Sequence, residues 1–528
     1  MNFKQSGGNE SDESLAALMT NAAAVRAIAA AVQGTIGPKG LDTMLVDRFG
    51  EVIITNDGVT ILDKMDVNHP AAKMVINIAK AQQHEVGDGT TTATIMAGAL
   101  VNEGVGQVLR GVPVARVIEG IRLGISLAQS ELAKRTKHFK DIKDVKLSNI
   151  AMVAGRDNAD IAELVVQAAR LIGAEKLLEP NYKLSDIIVA EENAKNEVFL
   201  GVIVDKERLS KEMPEQAEQA NILVIDDALE PEELDNEALG TEAGFRRFRE
   251  LQDEFELNVR KIVDLGVKVV MTDRGVHARA EEILTDGQVL VVARVAANEL
   301  RRVAEHTGAR MIKRTGLKKE LAELQKVLGY AEKVYEDEKL EHVRIMGGRG
   351  KPAATILVGA ATQEVVGERQ RIAKDAASSV QAAVRSGYVA GGGAVEVAVA
   401  RAVEKSRGNL KGMSAYGLDC VVNALKRPLA HIVENAGYNP LEKVENVVAA
   451  QNERKSDSLG IDCETGDVSD MVKAGVIDPT LVKVHALKAA GEVATAILRI
   501  DTIIRKKDEG EQAGRPVGGE SPAGAPDF

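Results

Sequence analysis

Residues 87–92 read GDGTTT, an aspartate between two glycines followed by three threonines. Glycines let a backbone approach an anion closely, and a helix opening at the threonines would aim free N–H groups and the positive end of its dipole at phosphate. Asp88 suits magnesium, which takes few carboxylates and completes its shell with phosphate oxygens and water. Taken alone, the same string is also a capped helix start after a tight turn, because Thr caps and Gly turns. Asp57, in TNDG at 55–58, carries a similar pair of readings. Asp–Gly bends a chain for local reasons, yet a second carboxylate near a bound phosphate can orient or deprotonate a water. A glycine-rich turn, GTIGPKG at 34–40, has neither the GxxxxGK[ST] spacing nor the following Ser or Thr of a Walker A loop, and Lys39 within it reads as solvated.

A further carboxylate lies in ERQRIAKDAASSVQAAV at 368–384, where Ile372, Ala376, Val380 and Val384 recur four apart and Asp375 sits at the edge of their stripe. Such an edge charge is usually solvated or paired. HExxH, clustered Cys and His, and GxSxG are all missing from the sequence, which leaves zinc hydrolysis and serine-esterase chemistry without support.

The elements that must position these groups follow from periodicity. The Ala-rich run from Ser14 to Gln33 predicts a helix that stops at Gly34. TMLVD and EVIITND, flanking Arg48, Phe49 and Gly50, predict a hairpin, and residues 69–86 predict a helix with Pro70 in its first turn. In the middle, NILVIDD (221–227), VKVVMTD (267–273) and GQVLVVARV (287–295) alternate with helical segments, which predicts an α/β module. The long charged stretch between the first two strands carries Phe245, Phe248, Phe255, Val259 and Ile262 at helical spacing. Two readings stand for that stripe: it packs its helix onto the module, or it forms a protruding sticky tip. After about residue 380 Ala-rich helices return around VAGGGAVE (389–396) and GVIDPTLVK (475–483), and the last segment reads as a disordered Gly/Pro-rich tail.

At 528 residues and 45% hydrophobic content, the chain has room for two or three globular domains. A net charge of −12 opposes non-specific attraction to nucleic acid or anionic membranes. Cys420 and Cys463 stand far apart, so neither a disulfide framework nor a thiolate zinc site is expected, and a reducing cytoplasmic location is. The N-terminus lacks a basic start followed by an apolar core, and no uncharged apolar stretch approaches the ~18 residues that span a bilayer. Two rival functions fit the same groups, a phosphotransferase acting on a small substrate and a nucleotide-binding scaffold that hydrolyses little.

Taken in order, GTIGPKGLDTMLVD, TNDGVTIL, HPAAKM, EVGDGTTTATIMAGAL, the 368–384 helix, VAGGGAVE and GVIDPTLVK resemble the chaperonins, specifically the archaeal-type, thermosome-like group II branch, from about residue 14 to 507. The segment IAMVAGRDNAD at 150–160 lacks that branch's lysine-bearing nucleotide-sensing pattern, with Arg156 as the substitute cation, and 297–345 matches its apical pattern loosely. Those departures are what a variant branch, of the kind found in some bacteria, would show.

The resemblance implies a multidomain α and α/β fold: a mainly helical equatorial domain from 1–140 and 391–507, a small intermediate domain from 141–211 and 356–390, and an α/β apical domain at 212–355 with a helical lid at about 230–263. Residues 508–528 form the tail. It implies an ATP-dependent, magnesium-dependent chaperone that encloses unfolded clients in two stacked rings of roughly eight identical subunits, without a separate cap protein. Carried over by motif, Ile36, Gly37 and Pro38 line ATP or ADP, Asp88 holds Mg2+, and Gly89, Thr90, Thr91 and Thr92 wrap the phosphates. Gly392 and Asp478 meet the nucleoside, Asp57 sits by the γ-phosphate, and Asp375 arrives from the intermediate domain to position the water. The 43–55 hairpin becomes an arm to a neighbouring subunit, with AILRIDTII near the C-terminus as its strand partner.

Overall fold

The computed structural model describes residues 7–46, 48–50, 52–232, 234, 241–410 and 412–502. Both ends of the chain build one helical core. Helices Gly7–Gln33, Pro70–Glu85, Thr90–Leu109 and Val114–Arg135 pack with Ala394–Ser406, Ser414–Asn435 and Thr480–Leu498, and a single buried cluster runs from Leu18 to Leu132 and from Val389 to Leu498. At its centre lies Thr90–Leu109, whose buried residues, among them Ala93, Met96, Ala97, Leu100, Val101 and Gly104, point in every direction around its axis. A helix apolar all round belongs inside a core.

Gly7–Gln33 begins earlier than its Ala-rich run predicts, and its Leu15–Gln33 stretch does meet the length and composition of a bilayer-crossing helix despite Arg26. Leu18, Ala22, Val25, Ile28 and Val32 form one face of it buried in the helical core, and Arg26 bonds Asn102 at 3.3 Å. That stripe at i, i+4 and i+7 is the pattern of a helix lying on a core.

The chain ends are sewn together where Val114–Arg135 crosses Ser414–Asn435. A Cβ on Gly120 would stand 2.0 Å from the Ser414 carbonyl oxygen, and one on Gly417 would stand 2.1 Å from that of Val117. Only glycine lets the two backbones touch.

Between the two chain ends, an eight-stranded mixed sheet runs in the order Ile188–Glu192, Ala354–Ala360, Glu197–Val204, His342–Met346, Gly329–Asp337, Gln216–Ile225, Val267–Thr272, Leu290–Val292. Its last three strands are parallel and joined through helices Glu242–Asp264 and Ala278–Asp286, the β-α-β connections their alternation predicts. At the opposite end, Ile188–Glu192 and Ala354–Ala360 pack on Lys146–Ala154, Ala159–Ile172 and Gln363–Ser386, which share a separate core of Ile150, Val165, Ile356, Ala376 and Val380. The Gln363–Ser386 helix therefore belongs to the sheet-bearing part while also reaching the helical one.

The packing reading of the phenylalanine stripe holds for the second half of Glu242–Asp264, while the first half leaves one ring in solvent. Phe255, Val259 and Ile262 are buried against Leu223, Ile225 and Val270, whereas Phe245 is 56% exposed toward the helix start. Residues 233 and 235–240, within the expected lid, lie outside the described set, as do the tail and Ile503–Ile504 of the expected C-terminal strand. The first part of that strand is corrected: Ala496, Ile497 and Leu498 form the last turn of Thr480–Leu498, with Ile497 and Leu498 buried in the helical core.

Gly417→Val should destabilise the helical part by about 1–3 kcal/mol through forced separation of the two backbones. Thermal unfolding checks this; a melting temperature equal to that of the unsubstituted protein would contradict the crossing.

Candidate active site

Asp57, Asp88 and Asp375 come from three separate elements, and the first two carboxylates both act on the third. Asp57 follows the strand Val52–Thr55 and caps Gly58–Lys64, accepting from the Val59 and Thr60 amides at 3.3 and 3.1 Å and from the Thr60 hydroxyl at 2.6 Å. The capping reading of this residue is thus realised, and the same bonds hold its carboxylate in place. Asp375 lies midway along Gln363–Ser386, its side chain 16% exposed. Burial, then the Asp57 and Asp88 carboxylates, push its pKa well above the ordinary carboxylate range, against the pull of Arg156 and Gln83.

GDGTTT is clamped from four sides. Gly87 and Gly89 have φ of +78° and +79°, and Cβ atoms there would stand 2.3 Å from Ser378 Oγ and 2.5 Å from Val482 Cγ1. A Cβ on Gly58 would stand 2.4 Å from Thr91 Oγ1, so the TNDG turn lies directly against the threonines. From Pro70–Glu85, Gln82 Nε2 donates to the Asp88 carbonyl at 2.7 Å, while its Oε1 faces His485 Nδ1 at 2.6 Å. Asp88 accepts from its neighbour Gly89 N–H at 2.6 Å and from the Ser379 hydroxyl. Gly89, in the left-handed region, starts Thr90–Leu109 without a side-chain cap, so the first-turn amides beside Asp88 remain the positive end of a 20-residue helix.

Asp88 is raised by burial and by the nearby Asp478 carboxylate, with Ser379, Gly89 and Lys483 opposing. An anion withdrawn from water and short of positive partners fits a hard cation. Among the described residues no group of three or more His, Cys, Asp or Glu could hold a metal by itself. The donor set therefore fits magnesium bound through one carboxylate and the oxygens of a phosphate ligand.

The remaining motif residues surround the same region. Val389 pairs with Asp478 across the short strands Tyr388–Ala390 and Ile477–Pro479, and a Cβ on Gly391 would meet the Asp478 carboxylate at 3.0 Å. Gly392 follows with φ +61°. Gly37 packs on Ile432, and Gly393 packs on Leu429, one turn away on Ser414–Asn435, so the 34–40 and 391–393 turns share a helix face. Asn435 holds the first of these turns by donating to the Ile36 carbonyl at 2.9 Å. Pro38 is exposed beside it, Thr90 is buried, and Thr91 and Thr92 are half-buried. Lys39 is exposed, as expected, and pairs at the surface with the exposed Glu464.

Arg156, on a turn where it and Asp157 have φ of +52° and +59°, reaches Glu368 at 2.8 Å and Asp375 at 3.8 Å. Left-handed non-glycine residues cost about 1–3 kcal/mol each, and the surrounding contacts hold them. Glu368 also bonds Arg371 at 2.7 Å and accepts from the Thr55 hydroxyl at 3.4 Å. Sequence reasoning missed Glu368, Ser379, Gln82 and the buried pair Glu396–Lys483, 2.7 Å apart. The last two carried a usable signal: Glu396 in AVEVAVA and Lys483 in LVKVHAL are lone charges inside apolar runs.

Residues 28–508 match the TCP-1/cpn60 chaperonin family. The chain is 35% identical to the thermosome subunit of Pyrococcus abyssi, over 94% of this chain and 93% of that protein. It is 33% identical to thermosome subunit alpha of Thermoplasma acidophilum, over 97% of each. Among solved structures, the crystal structure of a group III chaperonin in the open state superposes with a TM-score of 0.86 at 46% identity, covering 93% of this chain and all of that one.

Because burial and like charge raise Asp375, its contribution to stability is present below its unfolded pKa and lost as pH rises through the folded one. Asp375→Asn should therefore raise the melting temperature by about 2–4 °C at pH 8 and by less at pH 5. Thermal melts at the two pH values check this; a gain that is absent, or larger at pH 5, would contradict the electrostatic account.

Proposed function

The chain belongs to the TCP-1/cpn60 chaperonin family and is a chaperone, and on that premise we propose that it is a cytoplasmic, magnesium-dependent ATPase that folds client proteins inside a closed chamber. The observation that carries this reading is the convergence of Asp57, Asp88 and Asp375 beside the uncapped start of Thr90–Leu109.

In this reading Asp88 holds magnesium, which supplies charge neutralisation of the phosphates, and the Gly89–Thr92 turn receives the phosphate oxygens through its amides and hydroxyls. Ile36, Gly37, Pro38 and Gly392 line the nucleoside, and Asp478 accepts from its sugar. Asp57, fixed by its own helix cap, stands at the γ-phosphate. Asp375 positions the attacking water and takes its proton as the oxygen bonds to phosphorus and the bond to the β-phosphate oxygen breaks, releasing ADP and phosphate.

Asp375 belongs to a helix that packs with the sheet-bearing part, so chemistry and domain movement are coupled. A nucleotide that draws Asp375 inward draws that helix, and with it the sheet and the Glu242–Asp264 helix, over a central cavity. The equatorial, intermediate and apical divisions at 1–140 with 391–507, 141–211 with 356–390, and 212–355 are part of this proposal. The helical core shared by both chain ends supports the first of them. The half-exposed start of Glu242–Asp264 supports a built-in lid at about 230–263, which dispenses with a separate cap. Released clients then bury apolar surface only within themselves. The exposed Met44, Val46, Val52 and Ile54 of the hairpin support its role as an arm between subunits of a double ring.

Asp375→Ala should bind ATP within about threefold of the unsubstituted protein while turnover falls by about 100-fold or more. Phosphate release and nucleotide binding measure the two effects, and electron micrographs of the same preparation should show double rings. Normal turnover in the variant, or single subunits in every nucleotide state, would contradict the proposal.

A further inference from the structure

Lys483, in the first turns of Thr480–Leu498, is 8% exposed, and its ammonium lies 2.6 Å from Asp478 and 2.7 Å from Glu396. Burial works against its charge, and the Asp478 and Glu396 carboxylates overcome that, holding the pKa above the ordinary lysine range. Glu396, 3% exposed, starts the Ala394–Ser406 helix just past the glycine turn. Neither of its carboxylate oxygens makes a well-directed hydrogen bond, so its close approach to the ammonium is its compensation. A buried charge is strongly destabilising once its partner is removed.

The arrangement is directional. Glu396 is enclosed and has nowhere to turn, whereas Asp478 keeps 19% of its side chain exposed and lies against Gly391, where no side chain intervenes. One carboxylate thus anchors the lysine, and the other is presented by it.

We propose that Lys483 is a positioning residue: braced by Glu396, it fixes the Asp478 carboxylate as an acceptor beside the 391–393 turn, and thereby sets a preference for ribonucleotides over nucleotides lacking sugar hydroxyls. The inference rests on the nucleotide-binding reading above. It adds that recognition of the sugar depends on a residue that does not touch the nucleotide. Two hydroxyls donating to an ionised, immobilised carboxylate make charge-assisted bonds, and a carboxylate free to turn away loses them.

The test is calorimetric titration of the assembled protein with ADP and with 2′,3′-dideoxy-ADP, both with magnesium. The unsubstituted protein should prefer ADP by about tenfold or more. Lys483→Met should lose about tenfold affinity for ADP and almost none for the dideoxy nucleotide, so the ratio falls toward one. The double variant Glu396→Gln with Lys483→Met removes the stranded carboxylate and should keep the fold while showing the same collapsed ratio. In an Asp478→Asn background, Lys483→Met should change the ratio no further. Equal weakening toward both nucleotides with the ratio preserved would overturn the proposal and leave Lys483 a structural ion pair. Equal binding of both nucleotides by the unsubstituted protein would also overturn it, whereas binding of neither would sink the nucleotide reading itself.

Discussion

The structure depends on keeping several carboxylates close together where water is scarce. Asp57 and Asp88 raise the proton affinity of Asp375, Asp478 raises that of Asp88, and Glu396 lies beyond. Two cations face them, Lys483 at Asp478 and Glu396, and Arg156 at Asp375. Left alone, such a group would spread apart or take up protons. It stays because each member is pinned locally, Asp57 by its helix cap, Asp88 by Gly89 and Ser379, and Asp478 by Lys483. Local stability is given up to hold these charges together, a common exchange at functional sites, and the proposed magnesium–phosphate ligand would complete them.

That constraint explains why both ends of a 528-residue chain must meet. Asp57 and Asp88 lie near the start, Asp478 and Lys483 near the end, and only a helical core closed by the Gly120–Gly417 crossing holds them at one place. Asp375 is different, because it arrives on a helix whose main core is shared with the sheet. Glu368, seven residues earlier, ties Thr55 beside Asp57 to Arg156 and Arg371. Movement of that helix therefore strains a hydrogen-bonded link to the Asp57 turn as well as repositioning Asp375.

Much of this was legible in the sequence because Asp57, Asp88 and the glycines beside them sit in short turns whose chemistry is local. The 87–92 glycines, the helix opening at Thr90 and the helix ending at Gln33 follow from turn and cap preferences. Strands Glu197–Val204, Gly329–Asp337 and His342–Met346 were not read, although they form the middle of the sheet. Several of their charges are paired across the sheet: Arg344 bonds His342, Glu197 and Asp337, and His342 bonds Glu191. A local pattern cannot show that a charge has a partner more than a hundred residues away. The same blindness hid Glu368, whose partners Arg156 and Thr55 lie far back in the chain.

The central claim is that the carboxylates are completed by metal and phosphate together, neither sufficing alone. The most direct measurement is the melting temperature of the unsubstituted protein titrated with ADP, once with magnesium and once with a chelator of divalent ions. The account predicts a concentration-dependent rise with magnesium, since a ligand that binds only the folded state stabilises it by mass action, and a much smaller rise without the metal. Equal stabilisation in both titrations, or none in either, would contradict it.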